Sequence, residues 1–342
     1  MSKRVTPRRL ISAGKPNRRG FLKGAAALAL LPVLESDVAA QRFSAFEASG
    51  PVSGGFEWGG PVLDFHHHYR NPMETNLAHM NGAGITRSLL LTDTHLDEDA
   101  AALMALEPDR FARFTSTNVA PPEDLDQALE RLRTGIFAGA VGLGEMKSDV
   151  DLDGPEMRAV YGVAHVVGKP VLMHFQEVTQ PLSKGTFNRG FDRFDKVLIE
   201  WPDVNFIGHA DNFWANISKD ILIDTAYPTG PVVPGGLTDQ YLSRFPNLYG
   251  DLSATSGRNA LARDPEFARD FLDRHQDKLV FGSDCFCADG HGKGQSNPLP
   301  LITGKCVARE TLTALKELTT PEVFRKITWE NGNRLLRLDP DF

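Results

Sequence analysis

The chain alternates between short apolar runs and longer segments whose apolar residues recur at helical spacing. Apolar runs bounded by Gly, Pro and polar residues predict buried strands, and the segments between them predict helices. The runs lie at 61–68, 85–91, 111–117, 139–146, 170–175, 204–208, 247–252 and 279–282. The helical segments lie at 71–84, 97–106, from 121 onward, and at 155–167, 191–200 and 264–275.

Eight strands separated by helices predict an α/β fold of the (β/α)8 or TIM-barrel type. The alternative is a doubly wound open sheet, which predicts a glycine-rich phosphate turn after the first strand. That position holds His66, His67 and His68 instead, so the barrel is favoured. The chain of 342 residues is long enough for it, and we predict that the barrel domain spans residues 59–340.

Polar side chains that can bind a metal close five of the eight predicted strands. They are His66 and His68 on strand one, Glu145 on strand four, His174 on strand five, His209 on strand six and Asp284 on strand eight. The carboxyl ends of the strands of such a barrel surround one pocket, and imidazole and carboxylate groups bind divalent cations. The sequence therefore predicts a metal site at this end of the barrel.

The first strand carries the densest group of candidate ligands. Side chains alternate between the two faces of a strand, so Asp64, His66 and His68 are expected on one side. His67 is expected on the other side, where it packs or supports a ligand.

The same residues carry a resemblance to a known family. The segment Asp64–His68, together with His174, His209 and Asp284, resembles the metal-binding pattern of the amidohydrolase superfamily. The similarity is greater to its amidohydrolase-related (amidohydrolase 2) branch, which the terminal segment Ile327–Leu336 also resembles. The resemblance covers residues 60–338. It implies that His66, His68, His174 and Asp284 are metal ligands, and that His209 is a second-metal ligand or a proton-shuttling base.

Glu145 has two interpretations within this resemblance. Many superfamily members place a carbamylated lysine on strand four to bridge two metals, and a glutamate stands there in others. Glu145 could bind the metal in the same way, or it could only orient a ligand histidine by a hydrogen bond. Lys147 lies two residues further on, beyond the strand end.

The predicted ligands suggest a metal-dependent hydrolase that cleaves an amide, ester or lactone. The cation would activate water, and Asp284 would take the proton and pass it to the leaving group. Zinc is the first expectation, as one or two ions, and manganese or iron suits the same ligands. A non-oxidative decarboxylase, in which His209 and Asp284 manage protons, is the main alternative. A metal-dependent nuclease and a non-catalytic metal-binding barrel are the others.

The N-terminus resembles a bacterial twin-arginine export signal. Arg18-Arg19 precedes Phe21-Leu22-Lys23, then a short, mildly apolar stretch, and finally Val38-Ala39-Ala40 with the small residues of a cleavage site. The apolar stretch is too short to span a membrane. We therefore predict a signal peptide at 1–40, a linker at 41–58 and an exported, periplasmic protein, with cleavage itself left open.

The net charge of the chain limits the classes of partner that it is expected to bind. The first forty residues hold eight of the 37 basic and two of the 44 acidic residues, so the remainder has a net charge of about −13. Nucleic acid binding demands a positive face, so it is not expected. The predicted partners are a small-molecule substrate and the twin-arginine export machinery, without stable membrane insertion. The substrate and the oligomeric state are left open.

The three cysteines show no spacing typical of a structural zinc site. Their odd number leaves at least one thiol unpaired in an oxidising compartment, and Cys306 could pair with Cys285 or Cys287. The loop after strand eight must lie near the metal in this fold. Cys285, Cys287 and His291 are therefore weaker candidates for ligand or substrate contact.

Other residues after the predicted strands have two interpretations each. His95 and Asp93 either line the pocket mouth or belong to a solvated loop. Asp211–Trp214 lies shortly after His209, separated from it by Ala210, and is expected to shape the pocket. Asp251 and Ser253 close strand seven, as substrate contacts or as strand-end hydrogen bonds.

Three further histidines lie on or beside predicted helices. They are His79, His165 and His275. We predict that all three lie on the surface.

Overall fold

Eight parallel strands in chain order form the centre of the computed structural model, which describes residues 55–93, 97–180, 183–222, 225–295 and 301–338. Phe65 N–H donates to Phe281 O at 2.9 Å and joins the first strand to the end of the last. The predicted (β/α)8 barrel is therefore confirmed. The strands are β1 Leu63–His68, β2 Arg87–Asp93, β3 Phe111–Ser116, β4 Gly142–Met146, β5 Val171–His174, β6 Phe206–His209, β7 Leu248–Asp251 and β8 Leu279–Val280.

Helices follow the strands along the described residues. They are α1 Glu74–Ala83, α2 Asp97–Leu106, α3 Leu125–Phe137, α4 Pro155–Val167, α5 Phe194–Glu200, α6 Asp211–Ala215, α7 Leu237–Arg244, α8 Ala254–Ala262, α9 Pro265–Arg274, α10 Val307–Leu318, α11 Pro321–Arg325 and α12 Asn331–Leu336. A π-helical turn, Lys326–Glu330, joins the last two. The bounds of α2 and α4 agree with the sequence prediction. None of the described helices is long and apolar enough to cross a membrane.

Two groups of buried apolar side chains stabilise the barrel. The inner group includes Phe65, Leu89, Phe114 and Ile207, and the side chain of Leu336 from α12 packs into it. The larger outer group lies between the strands and the surrounding helices. The interior is therefore a packed core, and the polar strand ends lie beyond it.

Two irregularities interrupt the strand pairing where candidate ligands lie. The β1–β2 register shifts between Asp64 and His67, and the β4–β5 register shifts between Leu143 and Met146. At the second, Gly144 has φ +141°, and a Cβ there would lie 2.7 Å from Leu172 Cβ, so only glycine fits. Each bulge breaks the strict alternation of side chains.

Several sequence predictions lie outside the described residues. The predicted signal peptide at 1–40, most of the predicted linker at 41–58, and His95 are among them. Export and the domain boundaries therefore stay predictions.

Candidate metal centre

The carboxyl ends of the strands bring the predicted ligands together. We call the set the barrel-end cluster: His66, His68, Glu145, His174, His209 and Asp284. Two overlapping triads have ligand atoms that all lie within 4.8 Å of one another. One consists of His66, His68 and Asp284, and the other of His66, Glu145 and His209. The two triads share His66, so five of the six side chains surround one region.

Glu145 lies at the centre of the cluster. Its Oε1 is 2.5 Å from His174 Nδ1 and 3.5 Å from His209 Nε2, and its Oε2 is 3.5 Å from His68 Nε2. The carboxylate is almost fully buried. Both interpretations from the sequence remain compatible with this position, because Glu145 orients His174 and also faces the two triads.

Among the carboxylates of the barrel-end cluster, the one that His174 contacts is Glu145. Besides the short contact from Nδ1, its Nε2 lies 3.1 Å from Gln176 Oε1. It is part of neither triad of closely spaced ligand atoms in the described chain. Its ligation of a metal stays a prediction.

Asp251 orients two of the histidines, and sequence reasoning had left its role open. Its Oδ2 lies 2.7 Å from His66 Nδ1 and 3.3 Å from His209 Nδ1, and Ser253 Oγ donates to it at 2.7 Å. Ser253 Oγ also lies 2.8 Å from His209 Nδ1. A carboxylate on the second nitrogen fixes the tautomer and direction of a ligand histidine. The polar end of β7 was the available signal, and the strand-end hydrogen bond was the correct alternative.

Asp64 does not join the two histidines of its strand, so the predicted alternation was wrong there. Its carboxylate accepts from Ser283 N–H at 2.7 Å, Ser283 Oγ–H at 2.6 Å and His66 N–H at 3.0 Å. The bulge in β1 is the physical reason, because it inserts a residue between Asp64 and the pair His66 and His68. Asp64 instead ties β1 to the segment that follows β8.

The electrostatics of the cluster favour a positive charge. Burial opposes ionisation of Glu145, Asp251 and Asp284, but attraction to neighbouring histidines keeps the pKa of each carboxyl below its ordinary value. Burial likewise opposes protonation of His66, yet the charges of Asp251 and Asp284 raise its pKa to about 9. A site that stabilises an added proton so strongly is also suited to a cation.

The donor set therefore fits a divalent metal. Imidazole nitrogens and carboxylate oxygens surround one region, and three ionised carboxylates lie in it or directly behind it. Nitrogen and oxygen donors of this kind suit zinc, manganese and iron. Asp284, with 17% of its side chain exposed, and His68, with 41%, form the accessible side of the cluster.

Basic, acidic and aromatic side chains surround the barrel-end cluster. Lys147 Nζ lies 5.0 Å from the centroid of the Phe187 ring, which meets His174 edge-on at 5.5 Å. Burial raises the pKa of Asp211 to about 6. Burial and the charges of Asp211 and Asp284 raise the pKa of Tyr227 above its usual value, and sequence reasoning had missed this tyrosine.

The segment after β6 is only partly a pocket wall. Asp211 is 8% exposed and electrostatically coupled to His209. Phe213 and Trp214 instead pack into the outer core, and Trp214 Nε1–H donates to Asp251 O at 2.8 Å. The second pair therefore supports Asp251 from behind.

The remaining histidines divide between correct and wrong predictions. His67 is packed as predicted, with Nε2 3.1 Å from Asn76 Oδ1. His79 and His275 are buried, so the surface prediction was wrong for both. His275 Nε2 is held 2.6 Å from Asp239 Oδ1, and His165 is partly exposed beside Asp203.

The loop after β8 carries the weaker candidates Cys285, Cys287 and His291. His291 is exposed, and the two cysteines are buried beside Cys306 and His79 rather than within the barrel-end triads. No disulfide joins the three cysteines.

Comparisons with known proteins agree with this architecture. Residues 240–338 match a family model described as amidohydrolase. No curated protein sequence is significantly similar to the chain. A probable 2-pyrone-4,6-dicarboxylic acid hydrolase from Acinetobacter baumannii, with citric acid bound, has a TM-score of 0.52 at 14% identity, covering 82% of this chain and 100% of that one.

A second solved structure is similar to the same extent. It is the 5-carboxyvanillate decarboxylase from Novosphingobium aromaticivorans in complex with manganese and 4-hydroxy-3-methoxy-5-nitrobenzoic acid. Its TM-score is 0.52 at 13% identity, over 83% of this chain and 98% of that one. At such identities the likeness shows the shared fold. The family match supports the prediction of an enzyme of amidohydrolase type.

Proposed function

We propose that the chain is a metal-dependent hydrolase that cleaves an amide, ester or lactone bond of a small organic substrate. The observation that carries the proposal is the convergence of nitrogen and oxygen donors at the carboxyl ends of the strands. The donors come from β1, β4 and β6 and from the segment after β8, and no local sequence feature requires them to meet. The amidohydrolase match over residues 240–338 supports the same class.

The residues of the two triads would hold the cation: His66, His68, Glu145, His209 and Asp284. A divalent cation bound there supplies Lewis-acid activation of water and of the scissile carbonyl group. We propose zinc, because it accepts mixed imidazole and carboxylate ligands at an open site. His174, whose Nδ1 lies 2.5 Å from Glu145 Oε1, would be the sixth ligand if a second ion binds.

Asp284 is the proposed proton carrier. Its Oδ1 lies 3.5 Å from His68 Nε2, its Oδ2 lies 3.9 Å from His209 Nε2, and its backbone N–H donates to His66 O at 2.8 Å. Its side chain is partly open to solvent. It would take a proton from the attacking water and return it to the leaving group.

A non-oxidative decarboxylase is the second candidate. His174 lies in neither triad, and a set of ligands without His174 suits a single ion. A site with one metal ion favours the lyase reaction. In that reaction His209 and Asp284 would deliver a proton to carbon after carbon dioxide leaves. The fold is compatible with either reaction.

An assay of the metal-loaded chain distinguishes the two reactions. The substrates are 2-pyrone-4,6-dicarboxylate with simple lactones and aryl esters for hydrolysis, and 5-carboxyvanillate for release of carbon dioxide. We expect hydrolysis that is lost on chelation and returns with zinc or manganese. Carbon dioxide release without hydrolysis would establish the lyase instead. Turnover that is indifferent to chelation would contradict both candidates.

A further inference from the structure

Four potential metal ligands meet in the protein interior, away from the barrel-end triads. They are His79 of α1, Cys285 and Cys287 of the loop after β8, and Cys306, the residue that precedes α10. Each is 3% exposed or less. We call these four residues the cysteine–histidine cluster. Their ligand atoms all lie within 4.8 Å of one another.

The distances are close to those expected around one tetrahedral ion. Cys285 Sγ lies 3.3 Å from Cys287 Sγ and 3.9 Å from Cys306 Sγ, and Cys287 Sγ lies 3.4 Å from His79 Nδ1. Zinc–sulfur bonds of about 2.3 Å at tetrahedral angles place two sulfurs about 3.8 Å apart. A disulfide needs sulfurs about 2.05 Å apart, so the sulfurs have the spacing of co-ligands.

Backbone amides point at the sulfurs. Val307 N–H donates to Cys285 Sγ at 3.3 Å. Backbone N–H groups of Gly290 and Gly292 interact with the Cys287 sulfur, and that of Arg309 with the Cys306 sulfur. Hydrogen bonds of this kind stabilise thiolates, the form of cysteine that binds metals.

His79 directs one ring nitrogen at the sulfurs. Burial and the charge of Arg70 lower the pKa of its imidazole. Its Nε2 is buried without a hydrogen-bond partner among the described residues, while Nδ1 faces the Cys287 sulfur. In the proposed site Nδ1 would be the ligand atom of His79, and Nε2 would carry the proton of the neutral ring.

We propose that Cys285, Cys287, Cys306 and His79 form a structural Cys3His site for zinc or a similar thiophilic divalent cation. Four protein ligands fill a tetrahedral ion and leave no position for substrate, which is the mark of a structural site. Its sulfur donors distinguish it from the barrel-end cluster, which has only nitrogen and oxygen donors. The site goes beyond the proposed hydrolase function and does not depend on it.

The site would fix the loop that carries Asp284. Arg70, which follows β1, already donates from Nη1 to Cys287 O at 2.6 Å and from Nη2 to Cys285 O. Gly82 of α1 approaches the same loop so closely that a Cβ would meet Asp289 O. A metal at the cysteine–histidine cluster would join α1, this loop and the start of α10. Its ligand Cys285 is the residue after Asp284, the proposed proton carrier.

X-ray absorption at the zinc edge tests the site directly. The full chain, purified without chelators, is expected to show sulfur neighbours at about 2.3 Å from zinc. The three cysteines are the only thiols of the chain, so such a signal identifies them. In the variant Cys285→Ser/Cys287→Ser the signal should disappear with about one equivalent of zinc.

A matched pair of histidine variants separates coordination from packing. His79→Gln should weaken zinc retention, whereas His275→Gln, at another buried histidine, should leave the sulfur signal unchanged. Zinc with nitrogen and oxygen neighbours alone in the wild-type chain would overturn the proposal, and so would a disulfide found by mass spectrometry without reduction. The wild-type spectrum decides the matter even if a variant does not fold.

Discussion

Replacement of Asp284 by asparagine is expected to lower kcat/KM by about 10²- to 10⁴-fold, the usual contribution of a general acid–base. The amide keeps the size of the side chain but cannot take a proton from water. The backbone anchor from Asp284 N–H to His66 O does not involve the side chain, so the fold should be kept. Steady-state kinetics at saturating metal, with metal analysis of the same sample, measures the effect.

The control for this substitution is Asp270→Asn on α9. Asp270 is exposed and lies outside the barrel-end cluster, so its kinetics should equal those of the wild type. A fall in both kcat and metal content for Asp284→Asn would support the ligand role that the first triad gives Asp284. Full activity with full metal content would remove Asp284 from the mechanism.

Replacement of Asp251 by asparagine is expected to weaken metal binding by about 10- to 100-fold, the usual effect of losing a carboxylate behind a ligand histidine. One oxygen of Asp251 holds the Nδ1 atoms of both His66 and His209, so one substitution disturbs two ligands. Titration of the metal-free protein with zinc gives the affinity. Excess metal should restore part of the activity, because no proton carrier is lost.

Ser253→Ala is the graded control for Asp251. It removes the hydroxyl next to His209 Nδ1 but leaves the contact between Asp251 and His66. Its loss of affinity should therefore be smaller than that of Asp251→Asn. Equal affinity in Asp251→Asn and the wild type would contradict the orienting role of Asp251.

The periodicity of the sequence was sufficient to predict the barrel and to place its polar strand ends. Apolar runs and helical segments alternate regularly, and each strand end that carried His, Glu or Asp was visible without coordinates. The bulge in β1 was not visible, because it depends on pairing with β2 and on the hydrogen bonds of Ser283 to Asp64. Strict alternation therefore misplaced Asp64.

Contacts between segments that are far apart in the sequence also could not be predicted from it. His79 and Cys287 are 208 positions apart, and only the packing of α1 against the loop after β8 brings them together. The surface prediction for His79 considered its own helix alone. Similarly, the role of Asp251 on β7 depends on its contacts with His66 of β1 and His209 of β6. Both histidines are far from Asp251 in the sequence.

Anomalous diffraction at the absorption edge of the metal, from crystals of the metal-loaded protein, tests the proposed metal centre most directly. A peak is expected at the carboxyl ends of the strands, about 2.0–2.2 Å from ligand atoms that include His66 Nε2 and a carboxylate of Glu145 or Asp284. The same map would show whether His174 is a ligand and whether one or two ions bind. Fully loaded protein with no peak among His66, His209 and Asp284 would contradict the proposed metal centre.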